Sequence, residues 1–227
     1  MRDLDRVLDR LLRRDATSGG TLVDLGCGMG GLADYVGARL GATEQFGVDL
    51  DGERLRAAAA RGVRPLLLDL DHEPLPLPAR SVRIVTCFGL LAYLALYDNS
   101  LSEASRVLDD GGWILLSMPN LASYADRAAL FLGYQPHAVA VSCHSQAGTA
   151  GSRREPDVSA NMPRLLHGAT LRCMREVLDR YGFDTEYVRG FAPGPRRRPV
   201  IDDIACCFPS LSRRFLILAR KRPATPA

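Results

Sequence analysis

Lysine is nearly absent: the 227 residues hold 28 arginines and one lysine, Lys221. A skew this complete reads as a bias of the source genome rather than as guanidinium chosen for bidentate recognition. Net charge is only +3, far from the dense positive stripe of a dedicated nucleic-acid binder. No run approaches the ~20 apolar residues that a membrane span needs. The six cysteines include no CxxC pair, and Cys206 and Cys207 are adjacent, a poor geometry for bridging each other. Neither a disulfide framework nor a structural zinc site is expected. The opening residues, MRDLDRVLDRLLRRD, are charged throughout and lack the apolar core of a secretory signal. These absences together set the expectation of a cytoplasmic protein with reduced thiols, no metal, no nucleic acid and no membrane association.

What remains is a globular composition, 47% hydrophobic and 24% charged. It fits a single domain over residues 1–227. Leu4, Val7, Leu8, Leu11 and Leu12 make the stripe of an amphipathic helix within residues 1–18. After it, short apolar runs alternate with helical segments. Strands are expected at 21–25, 45–49, 65–69, 82–87 and 113–118. The helices between them are expected at 31–40, 53–61 and 101–108, with Asp109-Asp110-Gly111-Gly112 as a turn. Such alternation means βαβ units, hence a Rossmann-like α/β fold with a mostly parallel sheet and helices on both faces. A helix over 120–132 and another over 171–181 follow, then two late strands at 183–188 and 215–219. Residues 120–168 form a substrate-side insert; its stretch 137–166 has no clean periodicity and is expected to act as a lid. Residues 221–227 are expected to be a disordered tail.

The chemistry concentrates in Asp24-Leu25-Gly26-Cys27-Gly28-Met29-Gly30-Gly31, between the first strand and the first inter-strand helix. Glycines there let a ligand approach the backbone, and the helix start offers free N–H groups. Two readings of the spacing stand. Gly26, Gly28 and Gly31 fit the dinucleotide pattern GxGxxG, as in an NAD(P)-dependent oxidoreductase. Asp24, Gly26, Gly28 and Gly30 fit DxGxGxG instead. A pyrophosphate on this loop would be repelled by Asp24, whereas an ammonium or sulfonium group would not. Asp49, at the end of the second strand, is placed to accept ribose hydroxyls, and Asp69, at the end of the third, to meet an exocyclic amine.

At these residues the sequence resembles a known family, the class I S-adenosylmethionine-dependent methyltransferases, in their small-molecule, O-methyltransferase-like branch. The resemblance is carried by LVDLGCGMGGLADYV, FGVDLDGERLRAA, LLLDLDHEPLPLPARSVRIVTCFGLLAYL and SRVLDDGGWILLSMPN. It implies seven strands in the order 3-2-1-4-5-7-6, the last antiparallel. It also implies S-adenosyl-L-methionine as cofactor, held by Asp24, Gly26, Cys27, Gly28, Gly30, Asp49, Leu50, Asp69, Leu70 and Phe88. The implied partner is a small-molecule acceptor, with the protein a monomer or homodimer. Many relatives carry Glu-His where this chain has Ala92-Tyr93, so any role of that pair is absent here. The Asn-Pro-Pro-Tyr motif of enzymes that methylate planar amino groups is missing as well.

A hydroxyl acceptor needs a base. Of the four histidines, His72, His137, His144 and His167, the last stands just before the helix at 171–181, where the resembling branch carries a histidine, and is the catalytic candidate. Arg196-Arg197-Arg198 reads as a solvated loop, and Tyr93, Tyr97, Tyr124 and Tyr134 as packing or pocket walls. A catalytically silent cofactor-binding module is the alternative outside enzymes.

Overall fold

Thr21–Leu25 form β1, whose apolar run is buried from its second residue onward. The computed structural model describes residues 2–15, 19–139, 148–149, 165–192 and 199–223. Six further strands join β1 in one sheet: β2 (Glu44–Asp49), β3 (Arg64–Leu67), β4 (Val82–Phe88), β5 (Leu108–Pro119), β6 (Phe183–Phe191) and β7 (Arg214–Lys221). Their order is β3-β2-β1-β4-β5-β7-β6. The pairs among β1 to β5 are parallel, and β7 runs antiparallel to both β5 and β6, as the sequence implied.

Successive strand residues point to opposite faces, and each face has its own core. Val23, Leu25, Ile114, Leu116, Phe215 and Ile217 pack with α4 (Tyr97–Val107) and α6 (Leu171–Arg180) through Leu101, Ala104, Met174 and Leu178. On the other face Leu22, Ile84, Leu115 and Leu216 meet α1 (Arg2–Arg14), α2 (Gly31–Leu40) and α3 (Gly52–Ala59). The predicted stripe of α1 is buried there at Leu4, Val7, Leu8 and Leu11, each contributing about 1.5–3 kcal/mol relative to exposure. Asp24 and Thr86 register with each other across β1 and β4. The parallel strands therefore deliver their carboxyl ends, and the loops that follow them, to one edge of the sheet.

Several boundaries differ from expectation. The third strand stops at Leu67, so Asp69 does not lie on it. The Asp69 carbonyl instead accepts the N–H groups of His72 and Glu73 in a turn. Helix α4 starts at Tyr97, four residues early. Asp71 accepts the N–H groups of Ala95 and Leu96, which lets a non-capping residue, Leu96, open the helix. The expected turn at 109–112 lies inside β5, where the pairing with β4 shifts register between Val82 and Ile84. The helix expected over 120–132 is α5 (Tyr124–Phe131), because Asn120 is buried. Its amide donates to the Ser210 and Ser212 carbonyls and accepts from Ala122 N–H, holding the chain in a turn that Ser123 then caps. An unexpected helix, α7 (Pro199–Cys207), precedes β7. Strand β7 includes Lys221, and Arg222 N–H donates to the Gly182 carbonyl, so chain order reaches into the segment expected as a tail. Of the lid expected in the insert, residues 140–147 and 150–164 lie outside the described residues.

Candidate functional site

The glycine loop separates the two readings of its spacing. Gly26, Gly28 and Gly30 all have positive φ, at 72°, 53° and 75°, while Gly31 does not and opens α2. The DxGxGxG pattern is therefore the one written in the backbone, since only these three positions require the left-handed region. The Gly26 and Cys27 N–H groups donate to the Val48 carbonyl at 2.8 and 3.0 Å, tying the loop to β2. A Cβ on Gly30 would stand 2.9 Å from the Ala58 Cα, and one on Gly26 2.9 Å from Leu90 Cδ1. One on Gly28 would meet nothing within 4 Å. The loop is thus clamped by α3 on one side and by the segment after β4 on the other, with open space at Gly28. Gly30→Ala should lower thermal stability by about 1–3 kcal/mol, because backbone of α3 must yield; a thermal denaturation curve checks it. Cys27 packs beneath the loop, its sulfur where a side chain on Gly47 would stand, and burial pushes its thiol up to about 12.

Two carboxylates bracket this loop. Asp24 is 2% exposed and accepts a 2.6 Å hydrogen bond from the Thr86 hydroxyl. Burial raises its pKa from 3.8 to about 7, opposed by the Thr86 bond and assisted by the negative charge of Asp49. Asp49 is half-buried; its Oδ2 accepts the Gly28 N–H at 2.8 Å and its Oδ1 the Asp51 N–H at 3.0 Å. Each carboxylate oxygen keeps a second lone pair for a ligand hydroxyl. Leu50, the next residue, is exposed.

Asp69 sits in the turn beyond β3 rather than at its end. Its Oδ2 is 2.9 Å from His72 Nδ1, and its Oδ1 accepts the Asp71 N–H. His72 holds the Asp69 carboxyl below its ordinary value, and Asp69 in turn raises the imidazole. Leu70 is buried. Its carbonyl accepts from Asn99 and Ser100, and its N–H has no partner among the described residues.

The other lip of the cleft follows β4. Phe88 is half-buried against the face that carries α1 to α3, and Gly89 after it has φ 75°. The Ala92 carbonyl accepts the N–H groups of both Leu166 and His167, so the end of the insert is tied to the segment after β4. His167 Nε2 lies 3.4 Å from the Ala95 carbonyl, and its ring meets the Tyr97 ring edge-on at 5.3 Å. The structure thus brings Asp24, Gly26, Gly28, Gly30 and Asp49 together, with Leu50 next in the chain; Asp69 and Leu70 lie in the turn after β3, Phe88 ends β4, and His167 is tied to the segment after β4 that packs on the loop through Leu90. Thr86 escaped notice in the sequence, though one hydroxyl in the mostly apolar run Val82–Phe88 is a visible signal.

Comparison with known proteins bears on the family and the fold. Residues 23–116 match the family described as Methyltransferase domain. A probable S-adenosylmethionine-dependent methyltransferase of Mycolicibacterium smegmatis is 34% identical over 122 residues, covering 52% of this chain and 45% of its own length. The mitochondrial ubiquinone biosynthesis O-methyltransferase of Candida albicans is 30% identical over 135 residues, 55% of this chain and 41% of its own. The chain therefore spans less than half the length of either relative. In fold, it superimposes on the crystal structure of an S-adenosylmethionine-dependent methyltransferase from Mesorhizobium loti with a TM-score of 0.64. That match covers 95% and 96% of the two chains at 22% identity.

Proposed function

We propose, from the match of residues 23–116 to the family described as Methyltransferase domain, that the chain is a class I S-adenosylmethionine-dependent methyltransferase and that it transfers a methyl group to a small-molecule acceptor, with a hydroxyl oxygen as the receiving atom. The observation that carries this reading is the loop with three left-handed glycines, an acid at each end and open space at Gly28. S-adenosylmethionine supplies a methyl group activated by its sulfonium. The protein's task is then binding and alignment, where proximity and orientation count most.

The residues present fit that cofactor. Asp24 would meet its ammonium, and Asp49 its ribose hydroxyls through the free lone pairs. The Leu70 N–H and the Asp69 carboxylate would meet the adenine edge, once Asp69 shares its oxygen with His72. Leu50 would cover the ring, while the Cys27 side chain supports the loop from below. On the opposite lip, His167 would take the acceptor's proton. Donation from Nε2 to the Ala95 carbonyl leaves Nδ1 as the basic nitrogen. The similarity to an O-methyltransferase supports oxygen as the receiving atom.

Calorimetry tests the first half: S-adenosylhomocysteine should bind and NAD should not. Asp49→Ala should weaken that binding by about 1.5–3 kcal/mol, roughly 10- to 100-fold, and an unchanged dissociation constant would remove the ribose from this acid. Turnover with labelled methyl donor and a panel of hydroxyl acceptors tests the second half. Binding without turnover on any acceptor would favour a silent cofactor-binding module, to which Ala92, lacking a carboxylate, is the pointer.

A further inference from the structure

Two adjacent arginines, Arg213 just before β7 and Arg214 as its first residue, meet opposite fates. Arg213 donates to Asp202 Oδ1 at 2.9 Å and to the Tyr124 hydroxyl at 3.1 Å. Arg214, on the other face, has no carboxylate partner among the described residues, although only part of its surface reaches solvent. Its register partners are Pro119, the last residue of β5, and Phe191, the last of β6. From there its guanidinium stands 5.9 Å from the Phe191 ring centroid and reaches back across β5. A side-chain carbon on Gly89 would lie 2.9 Å from its Nη2. Gly89 directly follows β4, and its neighbour Leu90 packs on Gly26 of the glycine loop. Burial lowers the Arg214 pKa, and Tyr93 is the titratable group among the described residues that acts against that shift. An arginine does not discharge itself by losing a proton, so a half-dry guanidinium without an acid is costly unless a ligand completes it. Its planar fork of donors matches a carboxylate.

We propose that Arg214 is the counter-ion of a ligand carboxylate in this cleft. The inference rests on the methyl-transfer reading for the identity of that ligand: the carboxylate belongs to the amino-acid end of the cofactor or to an acidic acceptor. The site needs no contribution from the glycine loop's own acids, which repel such a group, and it stands beside Gly89, on the segment that packs on that loop.

Calorimetry with four probes distinguishes the sources. S-adenosylhomocysteine is compared with methylthioadenosine, which lacks the carboxylate, and benzoate with benzamide on protein saturated with S-adenosylhomocysteine. Arg214→Met keeps the stem against Phe191 and removes the charge, and Arg214→Lys keeps a charge without the fork. In Arg214→Met, tenfold or greater weakening of S-adenosylhomocysteine with methylthioadenosine unchanged assigns the cofactor's carboxylate. The same loss for benzoate, with benzamide unchanged, assigns the acceptor's. Arg214→Lys should fall between. Equal binding of both carboxylate probes to wild type and Arg214→Met overturns the proposal. So does a fall of many degrees in the melting temperature of Arg214→Met, which would mean that the cation serves a carboxylate of the chain itself. Should neither nucleoside bind the wild type, the methyl-transfer reading has failed, and benzoate binding to the free protein with and without Arg214 still decides the anion site.

Discussion

Gly28→Val should leave the protein folded and abolish binding of S-adenosylhomocysteine. The fold survives because a side chain at this position meets nothing within 4 Å. The cost is conformational: φ at Gly28 is 53°, and a β-branched residue held there loses about 1–3 kcal/mol. For a chain of this size that is a fall of a few degrees in melting temperature. Binding fails for two reasons at once. The valine fills the space a ligand needs above the loop, and it disturbs the Gly28 N–H that fixes the Asp49 carboxylate at 2.8 Å. Neighbouring glycines give no such clean separation, since Cβ atoms at Gly26 and Gly30 run into Leu90 and into α3 backbone. Calorimetry and thermal denaturation on the same preparation read both effects. Retained binding in Gly28→Val would reduce the loop to a tight turn.

The centre of the sheet was legible because β1, β4, β5 and β7 are mostly buried on both faces and so appear as apolar runs between helices. Thr21–Leu25 and Gly31–Leu40 match their expected bounds, and the late pair β6 and β7 extends what 183–188 and 215–219 announce. The positions of Asp24 and Asp49 near the ends of β1 and β2 were legible too, because a charged residue late in a short apolar run has few reasons to be there. The choice between GxGxxG and DxGxGxG was not, since spacing alone does not say which glycines adopt positive φ.

What escaped did so where local pattern and tertiary setting oppose each other. Helix α7 turns its large apolar residues outward: Val200, Ile201 and Ile204 are exposed, as is Phe208 just beyond it, while only the small Ala205 and Cys206 are buried and Asp202 is buried against Arg213 and Tyr124. No stripe of large apolar residues facing the core exists there for a periodicity argument to find. Helix α4 begins early because Asp71, 25 residues upstream of Leu96, takes the N–H groups of the two residues just before the helix, Ala95 and Leu96. Asp69 misses its strand because the turn to Glu73 is closed by backbone bonds from His72 and Glu73. Arg214 is indistinguishable in sequence from its paired neighbour Arg213; only the alternation of the strand, which sends one to Asp202 and the other to Gly89, separates them.

The affinity for S-adenosylhomocysteine should rise with pH up to about 7 and then level off, and Asp24→Asn should abolish that dependence together with most of the binding. In the free protein, burial places the Asp24 pKa at about 7, well above its ordinary 3.8. A raised carboxyl pKa means the neutral form is favoured by folding. The stability this residue contributes is present in full below about pH 4 and is lost as pH rises through 7, on the order of 4 kcal/mol. A ligand ammonium reverses the preference, because it needs the carboxylate. Below pH 7, binding must therefore expel a proton, and affinity falls by up to tenfold for each unit of pH. Between pH 6 and pH 8 the dissociation constant should improve about tenfold, with proton release measurable by calorimetry in buffers of different ionisation enthalpy. Asp24→Asn keeps an acceptor for the Thr86 hydroxyl but offers no charge, and loss of a buried ionic partner costs about 3–5 kcal/mol. Its binding should be weaker by two orders of magnitude or more and flat with pH, while its own stability no longer falls between pH 4 and 7. A wild-type dissociation constant that stays constant from pH 5.5 to 8 would take the ammonium away from Asp24 and leave that carboxylate as a packing element held by Thr86.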